Sequence, residues 1–443
     1  MPRLRRLSAD ALFVTLPRTL NGVSAVVVNL WAVQHLEPGA YGVFAFCSAC
    51  LLLFDGLVCS ALDLGVMRRD ASQRQGTRGF TPVERSAIAM KALVAAVCIC
   101  AALLFGEYVG WIAFERHGGR WLFTLAALGG GGLLVLHSIQ VHFQVTQRFR
   151  NYGGVELAHT LARLALVAAA VMTGMVSPLT MLAAYALAPA LVSAAFARWF
   201  WRQRGAQPWF DDREVRSLAS FAGTALLSLG LGAIIARLDL FFLGFLSAPA
   251  EMGIYGAALI VALIPEFLGF YLAPVLTPRI GLYLEQRKMS HLMWRCQLVL
   301  GVAYVVLLLG GLLLVAPLMA MVLPPEYTAS INVVQVLLPG TLTGLFLFPL
   351  TFNFVLLTSP RTLIVIDCLT LPLLVIGYAV MARQGGALGV AWATCIYKIT
   401  KAIVVQAIAA HGARQADRCG SAQTDAGPGT RAATGSSAPQ GAW

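Results

Sequence analysis

Charge is what this sequence has least of. Asp, Glu, Lys and Arg make up 12% of its 443 residues while 58% are hydrophobic, about half the charged share of a soluble domain. A water-soluble fold is excluded, because there is too little polar surface to clothe so much apolar side chain. Acids are the scarcer sign, 20 against 32 Lys and Arg. Long polar stretches are also missing, so nothing between the apolar segments could fold as a domain of its own. The nine cysteines lack paired spacing: eight lie in or beside apolar runs, and C-x-x-C at Cys47–Cys50 reads as small-residue packing. No disulfide framework, zinc spacing or cofactor motif is present. The opening "MPRLRRLSADALFVTLPRTLNGV" has no small-residue cleavage site and reads as a retained first helix.

What is present is about twelve apolar runs between residues 11 and 410, each of roughly the 20 residues that cross a bilayer as a helix. The expected fold is an all-α membrane protein with about 12 transmembrane helices. The basic excess follows the loops: with the N-terminus inside, 23 Lys and Arg lie in inner segments and three, Arg116, Arg120 and Arg383, outside. The positive-inside rule then puts both termini in the cytoplasm. No basic stretch is interleaved with aromatics, so nucleic acid is not an expected partner. The outer loops are short, which argues against an enzyme. The expected organisation is an N-terminal six-helix bundle (1–200), a cytoplasmic connector (201–216), a C-terminal six-helix bundle (217–410) and a disordered cytoplasmic tail (411–443).

An offset of 211 residues superposes "LEPGAYGVFAFCSACLLLFDGLVCSALDLGVMR" on "SAPAEMGIYGAALIVALIPEFLGFYLAPVLTPR". It pairs Pro38 with Pro249, Gly42 with Gly253, Phe44 with Tyr255, Asp55 with Glu266 and Arg68 with Arg279. Two repeats around a central cavity would follow, as in many transporters.

The segment "LDLFFLGFLSAPAEMGIYGAALIV" (238–261) resembles the seventh-to-eighth-helix signature of bacterial oligosaccharide flippases. "QHLEPGAYGVFAF" is similar to the first loop of that family, "LPPEYTAS" to the loop before its tenth helix, and "GALGVAWAT" to the start of its twelfth. Pro324 and Pro325 stand where that family usually has a glycine. The resemblance places the chain among polysaccharide biosynthesis flippases of the multidrug/oligosaccharidyl-lipid/polysaccharide exporter superfamily. It implies a multi-pass protein of the bacterial inner membrane that exports a polyprenyl-pyrophosphate-linked sugar by alternating access. Membrane lipid, a polysaccharide polymerase and export machinery are its implied partners. A cation-coupled multidrug exporter of the same superfamily is the alternative, with a membrane glycosyltransferase or O-antigen polymerase behind it.

The charges inside apolar helices carry the site reading. On the fifth helix Glu156, His159, Thr160 and Arg163 fall within about 100° of one another. Arg163 lies near mid-membrane, where a charge needs partners or water. It either lines a cavity or is satisfied by Glu156 or by carbonyls of a neighbouring helix. His137, Gln140, Gln144 and Arg148 form a similar stripe on helix four; Arg18, Asn21 and Asn29 share a face of helix one; Thr394, Lys398 and Lys401 share one on helix twelve. Lys401 is expected to pair with Asp367, which leaves Lys398 for the cavity. A pyrophosphate suits the planar fork of arginine, so Arg18, Arg163 and Lys398 are the expected headgroup cations, with His137, His159, Asn21, Asn29, Gln140 and Gln144 as further cavity groups. The acids Asp55, Glu156, Asp239, Glu266 and Asp367 are read as coupling-ion sites or structural partners. The glycines at 129–132, and Gly230 with Gly232, are candidate hinges that compete with a close-packing reading.

Overall fold

The computed structural model describes residues 2–73, 79–114, 118–196, 198–199, 202, 211–225, 229–264, 289–346, 351, 354–355 and 360–425. Among these residues every regular element is helical. The first six helices are α1 (Pro2–His35), α2 (Pro38–Gln73), α3 (Pro82–Phe114), α4 (Gly119–Val145), α5 (Phe149–Met172) and α6 (Pro178–Ala195). There follow α7 (Asp212–Ala225), α8 (Leu231–Ile235), α9 (Leu238–Leu246), α10 (Pro249–Ala262), α11 (Met289–Val322), a 3-10 turn (Pro325–Tyr327), α12 (Ala329–Leu342), α13 (Gly344–Phe346) and α14 (Pro360–Asp425).

Helix starts follow local chemistry. Proline opens α2, α3, α6, α10 and α14, where its missing N–H costs nothing. In "TPVE" the Thr81 hydroxyl accepts from Glu84 N while the Glu84 carboxylate accepts from Thr81 N, a capping box that starts α3. Ser177 and Thr180 do the same for α6. α14 bends at Gly386, whose φ of 52° lies in the left-handed region that favours glycine. Its helix then continues to Asp425, beyond the His411 boundary where the sequence reading places a disordered tail, because "HGARQAD" holds good helix formers and no proline.

Among the described residues seven helices are long and apolar enough to cross a membrane: Pro38–Arg69, Pro82–Phe114, Gly119–Val145, Phe149–Met172, Pro178–Ala195, Ser290–Val322 and Arg361–Gln415. Two shorter apolar helices, Pro249–Ala262 and Ala329–Leu342, accompany them. The expected seventh, eighth and tenth spans fall partly outside the described residues, as does most of the 201–216 connector.

Contacts gather the chain into two compact units. One comprises Met1–Val261, Leu314–Leu337 and Asp367–Thr394; the other Ala262–Leu313, Leu338–Ile366 and Cys395–Trp443. In the first, α4 is the central packing helix, and its four consecutive glycines are the means. A Cβ at Gly129 would collide with Leu51 of α2 and crowd Ala186 of α6; one at Gly130 would collide with Phe54. Gly131 faces Ala95 of α3 and Gly132 faces Pro189 of α6. This is close packing of small residues, the usual way membrane helices associate. In the second unit, Phe354, Val355, Leu363 and Ile366 pack with Leu292, Met293, Ala402, Val405 and Ala409.

Candidate functional site

Gly153 brings α1 and α5 together, since any side chain there would strike the Phe13 carbonyl oxygen. That approach lays the polar face of α1 on the polar face of α5. Arg18 Nε donates to the Tyr152 hydroxyl at 2.8 Å, with its guanidinium 5.4 Å from the ring centroid. One turn on, Asn21 Nδ2 donates to Glu156 Oε1 at 2.7 Å. Glu156 Oε2 accepts from Gln140 Nε2 of α4 at 2.5 Å. Arg163 Nη2 donates to the Asn21 side-chain oxygen (2.7 Å), the Asn21 carbonyl (3.0 Å) and the Ser24 hydroxyl. Its guanidinium also lies 5.2 Å from the centre of the Tyr185 ring of α6.

The network continues along α1. Asn29 Nδ2 donates to Tyr185 Oη at 3.3 Å, and Asn29 Oδ1 accepts from Tyr41 Oη of α2 at 3.0 Å. Four helices, α2, α4, α5 and α6, thus join α1 in one network, and the charges inside it are neutralised locally. Arg163 and Glu156 are 6% and 7% exposed, and neither would be tolerated there unpaired. Arg18 is exposed, so its outward donors remain open to solvent or ligand. His159 is buried beside them.

Of the local partners expected for Arg163, a carbonyl of a neighbouring helix is the one found, that of Asn21; Asn21 also stands between Arg163 and Glu156, because both side chains reach across to α1 rather than along α5. One expectation needs correction. Arg148 is not on the helix-four stripe: α4 ends at Val145, Gln147 takes a φ of 58°, and Arg148 precedes the first turn of α5. Gln144 is half-buried at that end of α4.

A second polar cluster links α2, α3 and α4. His137 Nδ1 lies 2.9 Å from Asp55 Oδ1 and 3.2 Å from Cys59 Sγ. Lys91 binds Asp63, and its Nζ lies 3.3 Å from the Ser138 hydroxyl. A third cluster holds Asp239: its Oδ2 accepts from Tyr255 Oη at 2.9 Å, Tyr255 Oη is 3.2 Å from Thr394 Oγ1, and Tyr378 Oη is 2.9 Å from the same hydroxyl. Here the seventh span is broken between α8 and α9 at Ala236 and Arg237. Asp367 is buried in the first unit. Lys398 is half-buried in the second, where Lys401 Nζ lies 5.8 Å from the Tyr397 ring centroid. Glu266 lies outside the described residues.

The two helix starts paired by the 211-residue offset meet. α2 begins at Pro38 and α10 at Pro249. A Cβ on Gly42 would collide with the Pro249 carbonyl oxygen, and one on Gly253 with that of Pro38. Around this crossing Tyr327 Oη donates to the Leu36 carbonyl at 2.7 Å, Ser330 Oγ to the Ile254 carbonyl at 2.8 Å, and Glu251 Oε2 accepts from Ala387 N at 2.7 Å. Sequence reasoning missed Tyr41, Tyr152, Tyr185 and Tyr327, because a lone tyrosine in an apolar run carries no periodic signal; of these, Tyr41 and Tyr327 stood inside recognisable motifs, "QHLEPGAYGVFAF" and "LPPEYTAS".

Residues 8–283 match the model of the polysaccharide biosynthesis protein family. No curated protein matches the chain in sequence. Among solved structures, the lipid II flippase MurJ in an inward closed conformation has a TM-score of 0.73 at 10% identity, over 89% of this chain and 86% of that one. An inward-facing multidrug resistance MATE family transporter of the MOP superfamily gives 0.70 at 11% identity, over 92% and 99%. A Vibrio cholerae MATE transporter, VcmN, gives 0.59 at 16% identity, over 96% and 99%. At such identities the likeness is one of fold. With helices as the regular elements among the described residues, long apolar spans and a family match over most of its length, the chain belongs to the polysaccharide biosynthesis protein family and is a multi-pass membrane protein with the fold of MOP-superfamily transporters.

Proposed function

We propose that this protein flips a polyprenyl-pyrophosphate-linked oligosaccharide from the inner to the outer leaflet of a bacterial cytoplasmic membrane, by alternating access between two six-helix halves, and that it is a transporter rather than an enzyme. The observation that carries this reading is the α1–α5 face, where an exposed Arg18 and a buried Arg163 lie within a ladder of amide and hydroxyl groups. A pyrophosphate carries about two negative charges and is best held by guanidinium forks. Sugars take hydrogen bonds from Asn and Gln and stack on aromatic faces. Arg18 is the first contact in this scheme, and Arg163 supplies field from behind without leaving its partners. Arg18 keeps donors free, whereas Arg163 is committed to Asn21 and Ser24.

The contact of α2 with α10 at Gly42 and Gly253 supports the alternating-access part. In this scheme, with both termini cytoplasmic, the crossing serves as the outer gate. Glu156 is engaged by Asn21 and Gln140, and Asp239 by Tyr255, which weighs against a cation exporter that works through either of these two acids.

The test is reconstitution of the purified protein into vesicles carrying a fluorescent polyprenyl-pyrophosphate-linked sugar, with flipping read as loss of accessibility to an external quencher. Wild type should flip it and Arg18→Ala should not. Transport of a lipophilic cation with no movement of the lipid-linked sugar would sink the flippase reading.

A further inference from the structure

We propose that Asp55, Cys59 and His137 form a binding site for one divalent transition-metal ion of the Zn2+ class, tying α2 to α4. One ligand atom from each of the three residues lies within 4.8 Å of the other two. Asp55 and Cys59 are four residues apart on α2 and so share a face, and His137 meets them from α4. Its Nδ1 is 2.9 Å from Asp55 Oδ1 and 3.2 Å from Cys59 Sγ. Zinc bonds of ~2.0–2.3 Å in a tetrahedron set ligand atoms roughly 3.3–3.7 Å apart, so a spread of a few tenths of an ångström admits an ion.

Asp55 Oδ1 is buried and, despite its closeness to Nδ1, makes no hydrogen bond of acceptable geometry. His137 Nδ1 and Cys59 Sγ are in hydrogen-bond contact at 3.2 Å, which an ion bound between them would replace with two coordinate bonds. A carboxylate oxygen without a hydrogen bond beside that pair suits a cation. Charge agrees with it: an Asp carboxylate, a Cys thiolate and a neutral imidazole exactly cancel an M2+ ion, which a membrane interior favours over any single charge. Lys91 adds no net charge to the site, since Asp63 neutralises it. Binding forms one O–M, one S–M and one N–M bond and releases the Cys59 thiol proton to water.

A mixed O, S and N donor set selects borderline-soft ions over Ca2+ or Mg2+, which take oxygen. Three protein ligands leave a fourth position for water. The His137 and Asp55 side chains, 29% and 16% exposed, provide the access this needs. Spacing along the chain could not show the site, because the third ligand comes from another helix.

The experiment is a Co2+ titration of the full-length protein in detergent, followed by Zn2+ competition. A saturable near-ultraviolet sulfur-to-cobalt charge-transfer band at one equivalent, displaced by Zn2+, is expected. Cys59→Ser should remove the band and Cys47→Ser should leave it. His137→Gln should weaken Zn2+ binding by at least the roughly 10–100-fold that even an outer-shell change costs a metal site. Absence of the band in the wild-type protein overturns the proposal, whatever the variants do, and so does a band that survives Cys59→Ser.

Discussion

Gly42 and Gly253, paired by the 211-residue offset in the sequence, each lie against the carbonyl of the proline that opens the other's helix. The two helix starts therefore touch backbone to backbone, with no room for a side chain at either glycine. In the proposed scheme this crossing is a gate.

Adding one methyl at this crossing should force it open. Gly253→Ala pushes a Cβ into the Pro38 carbonyl oxygen, an overpacking that costs about 1–3 kcal/mol. In the proposed scheme the cost falls on the outer-closed state alone. Cysteine labelling from outside at residue 41 should rise in Gly253→Ala and Gly42→Ala, while expression stays near wild type. Unchanged labelling rejects the gate.

Locking the same crossing should stop transport. Pro38→Cys with Pro249→Cys, joined by a short bifunctional thiol reagent, should abolish flipping, and cleaving the linker should restore it. Full transport with the linker in place would show that the two helix starts do not part during the cycle.

Arg18 and Arg163 should fail in different ways. Arg18 is exposed, so Arg18→Ala should change stability by less than about 1 kcal/mol yet abolish flipping. Arg163→Ala removes a buried cation, leaves Asn21 and Ser24 without their donor, and leaves the Glu156 charge with only the amides of Asn21 and Gln140, for a loss of about 3–5 kcal/mol. Adding Glu156→Ala should recover most of that stability. Thermal unfolding separates the cases: a double variant that regains both stability and flipping would confine Arg163 to a structural role.

The glycine run of α4 should behave as packing. Gly129→Ala meets Leu51 and Ala186, whereas Gly132→Ala meets Pro189 at 3.3 Å. The first should cost about 1–3 kcal/mol and the second less. If these glycines were hinges, both variants would slow flipping at unchanged stability.

Much of this was legible in the sequence, and the reasons are local. The scarcity of charge identifies the solvent as lipid, apolar runs mark the spans, and proline and T-x-x-E set where α2, α3 and α10 begin, since each depends on residues within a turn of one another. The polar stripe of α5 could be read for the same reason: 100° per residue places Glu156, His159 and Arg163 on one face, whatever surrounds it.

What faces that stripe was decided only by the tertiary structure. Asn21 bridges Arg163 and Glu156 because Gly153 sets how near α1 approaches and at what rotation. A shift of one residue along α1 would have turned Asn21 through about 100° and left the two charges to find each other. Asp55, Cys59 and His137 converge because the glycines of α4 admit Leu51 and Phe54 of α2. Partner choice across helices depends on crossing geometry and depth, which are sums over many weak contacts, and no single stretch of sequence contains that sum.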